Sequence, residues 1–212
     1  MYLRTPNHGT YEIVLIDTPG FNNTLRGETE VLKDIADWLD ITYRTSPKIR
    51  LSGIIYIQAL TDRRMYGSTL RNLKMFRQLC GDEPLKNVVF TTTGWGEAKK
   101  TGNLEKAVAN EDQLRTDPDF WQPMIKCGSR MARFEDNKNS ALEIILSLVD
   151  KETVALRIQH ELVDEDKNLV DTAAGAIVNE EIKKRNTRSN LPSYKRRSKK
   201  HSNRETRNCK KR

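Results

Sequence analysis

Apolar and polar positions along the first 150 residues form blocks that predict strands and helices in turn. The strand-like blocks are continuous apolar runs rich in β-branched residues, a pattern typical of buried strands. They cover Tyr11–Ile16, Leu51–Leu60 and Asn87–Thr93, and Met131–Phe134 is a weaker candidate. A turn at Pro6–Gly9 precedes the first run, so residues 2–16 are expected to form an antiparallel hairpin.

Blocks with helical spacing of apolar residues follow the strand-like runs. Glu28–Leu39 and Gly67–Cys80 each show one apolar face. A third helix is predicted to start with Asp117 as its N-cap, and a fourth with a capping box at Ser140–Glu143. The charged stretch Lys99–Asn110 is expected to be an insert. Strands alternating with helices predict an α/β fold with a doubly wound, mostly parallel sheet over residues 1–150.

Residues 151–184 carry a different pattern. Leu156, Val163, Val170 and Ile177 recur every seven residues, and the other faces are charged or polar. This predicts one long amphipathic helix with a narrow apolar seam. Two arrangements stay open: the helix packs back onto the α/β domain, or it binds a protein partner through residues 152–184 as a coiled coil.

The positive charge is concentrated at the end of the chain. The net charge is +8, yet residues 183–212 contain 14 basic and one acidic residue, which leaves 23 basic and 28 acidic residues elsewhere. Residues 185–212 are polar and lack periodicity, so they are expected to be a disordered basic tail. The clusters Lys183–Arg185 and Lys195–Lys200 fit either a bipartite nuclear localisation signal or nonspecific nucleic-acid binding through residues 183–212.

Composition argues against several other classes of protein. The three cysteines are widely spaced and the three histidines have no partner pattern, so no zinc site or nucleophilic triad is expected. No apolar stretch approaches the roughly 20 residues of a membrane span. No secretory signal opens the chain. We therefore expect a reduced, cytoplasmic or nuclear protein without a membrane span.

The segment from Ile13 to Gly20 is the clearest candidate for chemistry. The apolar run Ile13–Ile16 ends in Asp17-Thr18-Pro19-Gly20, at the point where a strand would leave the sheet. Open α/β sheets bind ligands at that edge. Asp17 could hold Mg²⁺, and Gly20 lets a backbone N–H approach a phosphate oxygen. The alternative is an ordinary strand-to-loop corner in which Asp17 bonds turn amides.

Longer stretches support this interpretation by resemblance. These stretches are Ile16–Phe21, Leu51–Tyr56, Leu70–Asn72, Met75–Arg77, Leu79–Asp82, Lys86–Val89 and Leu156–Gly175. Together they resemble fungal P-loop GTPase-like proteins, which belong with the septin-like and immunity-associated GTPases. The resemblance implies a P-loop NTPase-like fold that binds GTP with Mg²⁺, and it covers roughly residues 11–181.

The resemblance also assigns roles to individual residues. Asp17 and Thr18 would lie at the nucleotide, with Asp17 linked to the metal ion, and the amide of Gly20 would sense the γ-phosphate. Thr92 and Thr93, with Gly94-Trp95, occupy the place of the guanine-specificity motif. The position of its usual aspartate is Trp95, so no carboxylate is available there, and the indole is expected to stack on the base.

One element of such GTPases is absent from this sequence. It contains no G-x-x-x-x-G-K-[ST], the loop that cradles phosphates and supplies a lysine and a magnesium-binding hydroxyl. In the family this loop precedes the aspartate by several tens of residues, and only 16 residues precede Asp17 here. Its strand would lie between those ending at Ile16 and Leu60, which would leave two strand edges unpaired.

Three functions remain open from the sequence. The first is a GTP-binding switch module, for which no catalytic residue is assigned. The second is a non-catalytic pseudo-GTPase or truncated remnant that acts as an interaction module through its helix and basic tail. The third, a nucleic-acid-binding protein, has least support because the basic residues are confined to the tail and no recognised RNA-binding motif is present.

Overall fold

The computed structural model describes residues 2–5, 9–21, 27–60 and 68–180. Its centre is a three-stranded parallel sheet with the strand order β3 (Ile54–Ala59), β4 (Val88–Thr93) and β5 (Arg130–Arg133). Ile54 pairs with Val88, and Val89 pairs with Arg130. The predicted α/β class is therefore confirmed, and each crossover between neighbouring strands contains helices.

Six helices of the described residues between 28 and 149 accompany this sheet, and a separate hairpin precedes it. The hairpin consists of β1 (Tyr2–Thr5) and β2 (Gly9–Glu12), which pair antiparallel from Tyr2↔Glu12 to Thr5↔Gly9. The helices are α1 (Glu28–Arg44), α2 (Ser68–Cys80), α3 (Trp95–Lys100), α4 (Leu104–Thr116), α5 (Gln122–Lys126) and α6 (Lys138–Val149).

Both faces of the sheet are covered by helices. Successive side chains of a strand point to opposite faces. Val88 and Phe90 join the main core, which also contains buried residues of α1, α2 and α4. Val89 points the other way and packs with Ile144 and Leu148 of α6. A short 3₁₀ turn, Glu83–Asn87, leads into β4.

Gly53, directly before β3, marks a close approach between this strand and α6. A Cβ built there would lie 2.6 Å from a methyl carbon of Leu148 and 2.9 Å from the backbone oxygen of Asn87. Cβ atoms do not approach other heavy atoms this closely, so only glycine lets α6 pack at this distance.

The first apolar run does not form the predicted buried strand. Strand β2 ends at Glu12, and Ile13–Ile16 belongs to neither sheet of the described chain. Val14, Leu15 and Ile16 are 72%, 58% and 48% exposed. An apolar run becomes a buried strand only if another strand pairs with it and a second layer covers it. Within the described residues β3 pairs with β4 alone, so no partner strand draws this run into the parallel sheet.

The predicted long C-terminal helix is also wrong for the described residues up to 180. Residues 151–180 form a bridge between Val154 and Leu51, short helical turns at Arg157–Gln159, His160–Asp164 and Leu169–Asp171, and a helix at 173–180. Asp166 adopts a positive φ of 51°, which interrupts any continuous helix.

These short elements pack back onto the α/β domain. Leu156, Ile158, Ala174 and Val178 lie in the main core with residues of α1 and α2. One straight helix could bury only the residues of a single narrow stripe. Several short helices can each take a different direction, so each can bury its own apolar residues against the domain. This packing replaces the regular seam, and Val170, a seam position, is 53% exposed. No helix of the described residues is long and apolar enough to cross a bilayer.

Two helix starts differ from those predicted. Asp117 caps a turn instead of a helix, because its Oδ1 accepts from the amide of Asp119 at 2.9 Å and α5 begins only at Gln122. Helix α6 is capped by Asn137, whose Oδ1 accepts from the amide of Ser140 at 2.9 Å. The presumed insert at 99–110 contributes to α3 and α4. The predicted disordered tail, 185–212, lies outside the described residues.

Candidate functional site

The predicted motif Thr92–Trp95 lies where β4 leaves the sheet. Gly94 follows the strand with φ 88°, a left-handed conformation that L-residues adopt with strain, and Trp95 begins α3. Strand β5 ends beside it, where Arg133 pairs with Thr92. The carboxyl ends of two parallel strands therefore meet here, at the edge where open α/β sheets bind ligands.

A buried hydrogen-bond chain connects three side chains at this edge. The indole Nε1 of Trp95 donates to Oγ1 of Thr92 at 3.1 Å. Thr92 Oγ1 donates to Oε1 of Glu111, on α4, at 2.9 Å. Thr92 is fully buried and Trp95 is 7% exposed. The chain of bonds holds the indole and the carboxylate in a defined relative position.

Arg133 closes the site from the solvent side. Its guanidinium carbon lies 4.0 Å from the centre of the Trp95 ring, a cation–π contact. Its Nε donates to both oxygens of Glu111, at 3.0 Å to Oε1 and 2.9 Å to Oε2, and one terminal nitrogen also donates to Oε2. Hydrogen bonding to Glu111 raises the pKa of Arg133 above its usual value. The guanidinium, which stays protonated in proteins, is thus paired with the Glu111 carboxylate.

The predicted stacking face of Trp95 is thus occupied by a side chain of the protein itself. Thr93, the other predicted residue, is partly exposed, and its carbonyl accepts from the amide of Leu60 at 3.0 Å. Sequence reasoning missed both Glu111 and Arg133. Glu111 directly follows the stretch Lys99–Asn110 that was taken for an insert, and a single charged residue there carried no signal. Only the packing of α4 against β4 brings it to Thr92.

The Asp17–Gly20 segment has a more open setting. Asp17, Thr18 and Gly20 are exposed, and a Cβ built on Gly20 would meet no atom within 4 Å. Phe21 packs against the main core and anchors the end of the segment. The structure brings Thr92 and Trp95 together, whereas no hydrogen bond or ion pair within the described ranges links Asp17 to them.

The described residues do not assemble a metal site by themselves. No group of three or more histidine, cysteine, aspartate or glutamate side chains positioned to hold an ion occurs within residues 2–5, 9–21, 27–60 and 68–180. Asp17 offers a single carboxylate. Mg²⁺ is often held by one or two carboxylates together with waters and substrate phosphates. Asp17 suits only that kind of site, in which the nucleotide supplies further ligands.

A cleft also lies outside these two regions, between α1 and residues 162–169. Its volume is about 440 Å³, and its charged lining consists of Asp37, Asp40, Arg44, Asp166 and Lys167. Arg44 pairs with Asp40 at 2.9 Å, and Lys33 pairs with Asp37 at 2.5 Å. Because Asp37 and Asp40 already pair with neighbours on the same helix, and Lys167 pairs with Glu165, we assign no site to this cleft.

The described residues therefore offer two candidate regions: the Thr92–Trp95 edge with Glu111 and Arg133, and the exposed Asp17–Gly20 segment. Comparisons of the chain with protein-family models, with curated proteins and with solved structures found no match.

Proposed function

We propose that the chain is a guanine-nucleotide-binding module of the GTPase-like kind suggested by its sequence motifs. The observation that carries this proposal is the position of the Thr92–Trp95 motif at the carboxyl end of β4, beside the end of β5. A parallel sheet with helices on both faces binds its ligands at that edge. The motif that the resemblance assigns to the base therefore lies where the physics of the fold favours a ligand.

The remaining predicted residues take roles consistent with this proposal. Asp17 would contribute the one protein carboxylate to a magnesium ion that the nucleotide brings, and Thr18 would lie beside the phosphates. The exposed amide of Gly20 would be free to meet the terminal phosphate, because nothing crowds that position. Magnesium would neutralise phosphate charge. No described side chain is assigned to hydrolysis, so the proposed activity is binding.

Isothermal titration of the full chain with GTP·Mg²⁺ tests the proposal. We expect binding with a Kd on the order of micromolar, corresponding to about 8 kcal/mol, and weaker binding of ATP·Mg²⁺. Asp17→Asn should weaken binding of GTP in the presence of magnesium and leave binding in the presence of a chelator unchanged. An absence of heat at high micromolar concentrations of both partners would contradict the proposal.

A second candidate function is a non-catalytic interaction module. The specific observation that favours it is the exposure of Val14, Leu15 and Ile16, three consecutive large apolar residues. Exposed apolar runs of this kind mark interaction surfaces more often than isolated exposed residues do. The helix first proposed for this role is broken into short pieces that pack on the core, so the exposed run is the better-supported contact.

Sedimentation velocity distinguishes this second candidate. If the run is a contact surface, the wild-type chain should form larger species at tens of micromolar, and V14S/L15S/I16S should sediment as a monomer. Ile41→Ser provides a matched control, because Ile41 is 65% exposed as a single apolar residue on α1. Identical sedimentation of wild type and triple variant would argue against an apolar contact between copies.

A further inference from the structure

Arg133 occupies the position on Trp95 that a flat ligand would need. Its guanidinium lies at stacking distance from the indole, 4.0 Å from the ring centre. The Arg133 side chain is 45% exposed, whereas Trp95 is 7% exposed. The guanidinium is therefore a layer between the indole and solvent. Moving this side chain outward would uncover one face of the Trp95 ring, at the edge of the main core to which Trp95 belongs.

The same guanidinium is held along its edge by a carboxylate. Nε of Arg133 lies 3.0 and 2.9 Å from the two oxygens of Glu111, and a terminal nitrogen donates to the second oxygen. Glu111 is only 14% exposed, and Thr92 fixes one of its oxygens through a hydrogen bond of 2.9 Å. An aromatic face and a positioned carboxylate thus surround a planar group with adjacent N–H donors.

Guanine presents the same chemical features as this guanidinium. Its N1–H and N2–H₂ groups flank one carbon, as the nitrogens of a guanidinium do, and they lie in the plane of a ring that can stack on an indole. Adenine offers an acceptor at N1 in place of a donor. If adenine took this position, the lone pair of its N1 would face a carboxylate oxygen of Glu111. Two acceptors repel each other, so the site disfavours adenine.

We infer that Trp95 and Glu111 form a guanine-binding site whose ligand position is occupied by Arg133, and that guanine binds by displacing this side chain. The inference rests on the proposed function and deepens it, because it names the base-recognising carboxylate and an internal competitor. The carboxylate absent at position 95 is supplied from α4. The negative charge of Glu135 also favours the charged form of this guanidinium.

Titration of the full chain with guanosine, adenosine and GTP·Mg²⁺ tests this site directly. Arg133→Ala removes the competitor and should tighten guanosine binding by roughly tenfold, because no side chain must first be displaced. Arg133→Lys keeps the charge but lacks the planar fork, and should also bind guanosine more tightly than wild type. Arg115→Ala is the matched control: Arg115 pairs with Asp112 on the exposed side of α4, and its loss should change nothing.

Glu111→Gln in the R133A background tests the carboxylate. Glutamine keeps the size of the side chain and an oxygen that can accept from Thr92, yet it places an NH₂ donor where the second carboxylate oxygen would accept from guanine. Loss of a charged hydrogen bond should weaken guanosine binding by roughly tenfold or more and abolish its preference over adenosine. The Trp95 indole N–H signal in NMR spectra, assigned with Trp95→Phe, should shift on stacking of guanosine in R133A.

The outcomes separate this inference from the proposed function. GTP·Mg²⁺ binding that neither R133A nor R133A/E111Q alters would overturn the guanine site and leave nucleotide binding intact. A second outcome is that R133A binds guanosine, that Glu111→Gln abolishes this binding, and that GTP·Mg²⁺ binds no more tightly than guanosine. This outcome would support the base site and reject the phosphate-dependent switch. R133A that folds but does not bind guanosine at millimolar concentration would overturn the inference.

Discussion

Trp121→Ala is expected to lower the free energy of unfolding by about 3–5 kcal/mol, the range for removing a large buried aromatic side chain. Trp121 is 1% exposed and stacks on Phe90 of β4, with ring centroids 4.8 Å apart and an interplanar angle of 25°. It also meets the ring of Tyr56 edge-on at 6.5 Å. The truncation leaves a cavity between the central strand and α5 that neighbours fill only partly.

Urea denaturation followed by circular dichroism measures this loss. Trp121→Phe is the matched control, since it retains an aromatic ring against Phe90 and should lose less than half as much stability. Domains of this size are typically stable by only about 5–15 kcal/mol, so the alanine variant should be partly unfolded near 37 °C. A change in the unfolding midpoint within experimental error would show that this aromatic cluster is not the centre of the core.

Gly175→Ala is expected to destabilise the protein by about 3 kcal/mol, the upper part of the range for forced overpacking. A Cβ on Gly175 would lie 1.9 Å from the carbonyl oxygen of Leu169. That oxygen already accepts from Oγ1 of Thr172 at 2.7 Å, and the amide of Gly175 donates to the same hydroxyl at 3.0 Å. The added methyl group would therefore separate the helix at 173–180 from the preceding turn.

Hydrogen exchange together with urea denaturation tests this prediction. Amides of residues 173–180 should lose protection, because Ala174 and Val178 would leave the main core. Gly20→Ala is the control: its Cβ would meet no atom within 4 Å, and stability should change by less than about 0.5 kcal/mol. Unchanged protection in G175A would show that the turn at Leu169 adjusts without cost.

The elements that sequence reasoning predicted well have a strong local pattern. Helices α1 and α2 and strands β3 and β4 lie close to where periodicity placed them, and Gly81 ends α2 with φ 79°. The spacing of apolar residues within one helix or strand indicates which of its side chains are buried on the same face. Where consecutive residues are buried on both faces of a strand, as in Val88–Phe90, local pattern and tertiary burial agree.

The predictions that failed required knowledge of a partner element. The run Ile13–Ile16 has the composition of a buried strand but is exposed, because burial depends on a neighbouring strand that the described chain does not place there. The seven-residue repeat after residue 151 predicted one helix. The positive φ at Asp166 and the bridge between Val154 and Leu51 show that packing onto the domain outweighed that regularity.

The candidate site was predicted only in its contiguous part. Thr92, Thr93 and Trp95 could be named because they follow a strand in one short motif. Glu111 and Arg133 lie 19 and 41 positions after Thr92 in the sequence, and their meeting with Trp95 depends on how α4 and β5 pack beside β4. An isolated glutamate and an isolated arginine carry no local signal of such a meeting.

The sequence by itself determined the α/β class, the order of the central elements and the position of Thr92–Trp95 at the carboxyl end of a strand. These depend on the period of apolar residues and on turns, which are local properties of the chain. Only the tertiary structure decided that the first apolar run stays exposed, that residues 151–180 fold back in pieces, and that Arg133 covers Trp95 while pairing with Glu111. These features arise from contacts between distant residues, whose energies no local pattern specifies.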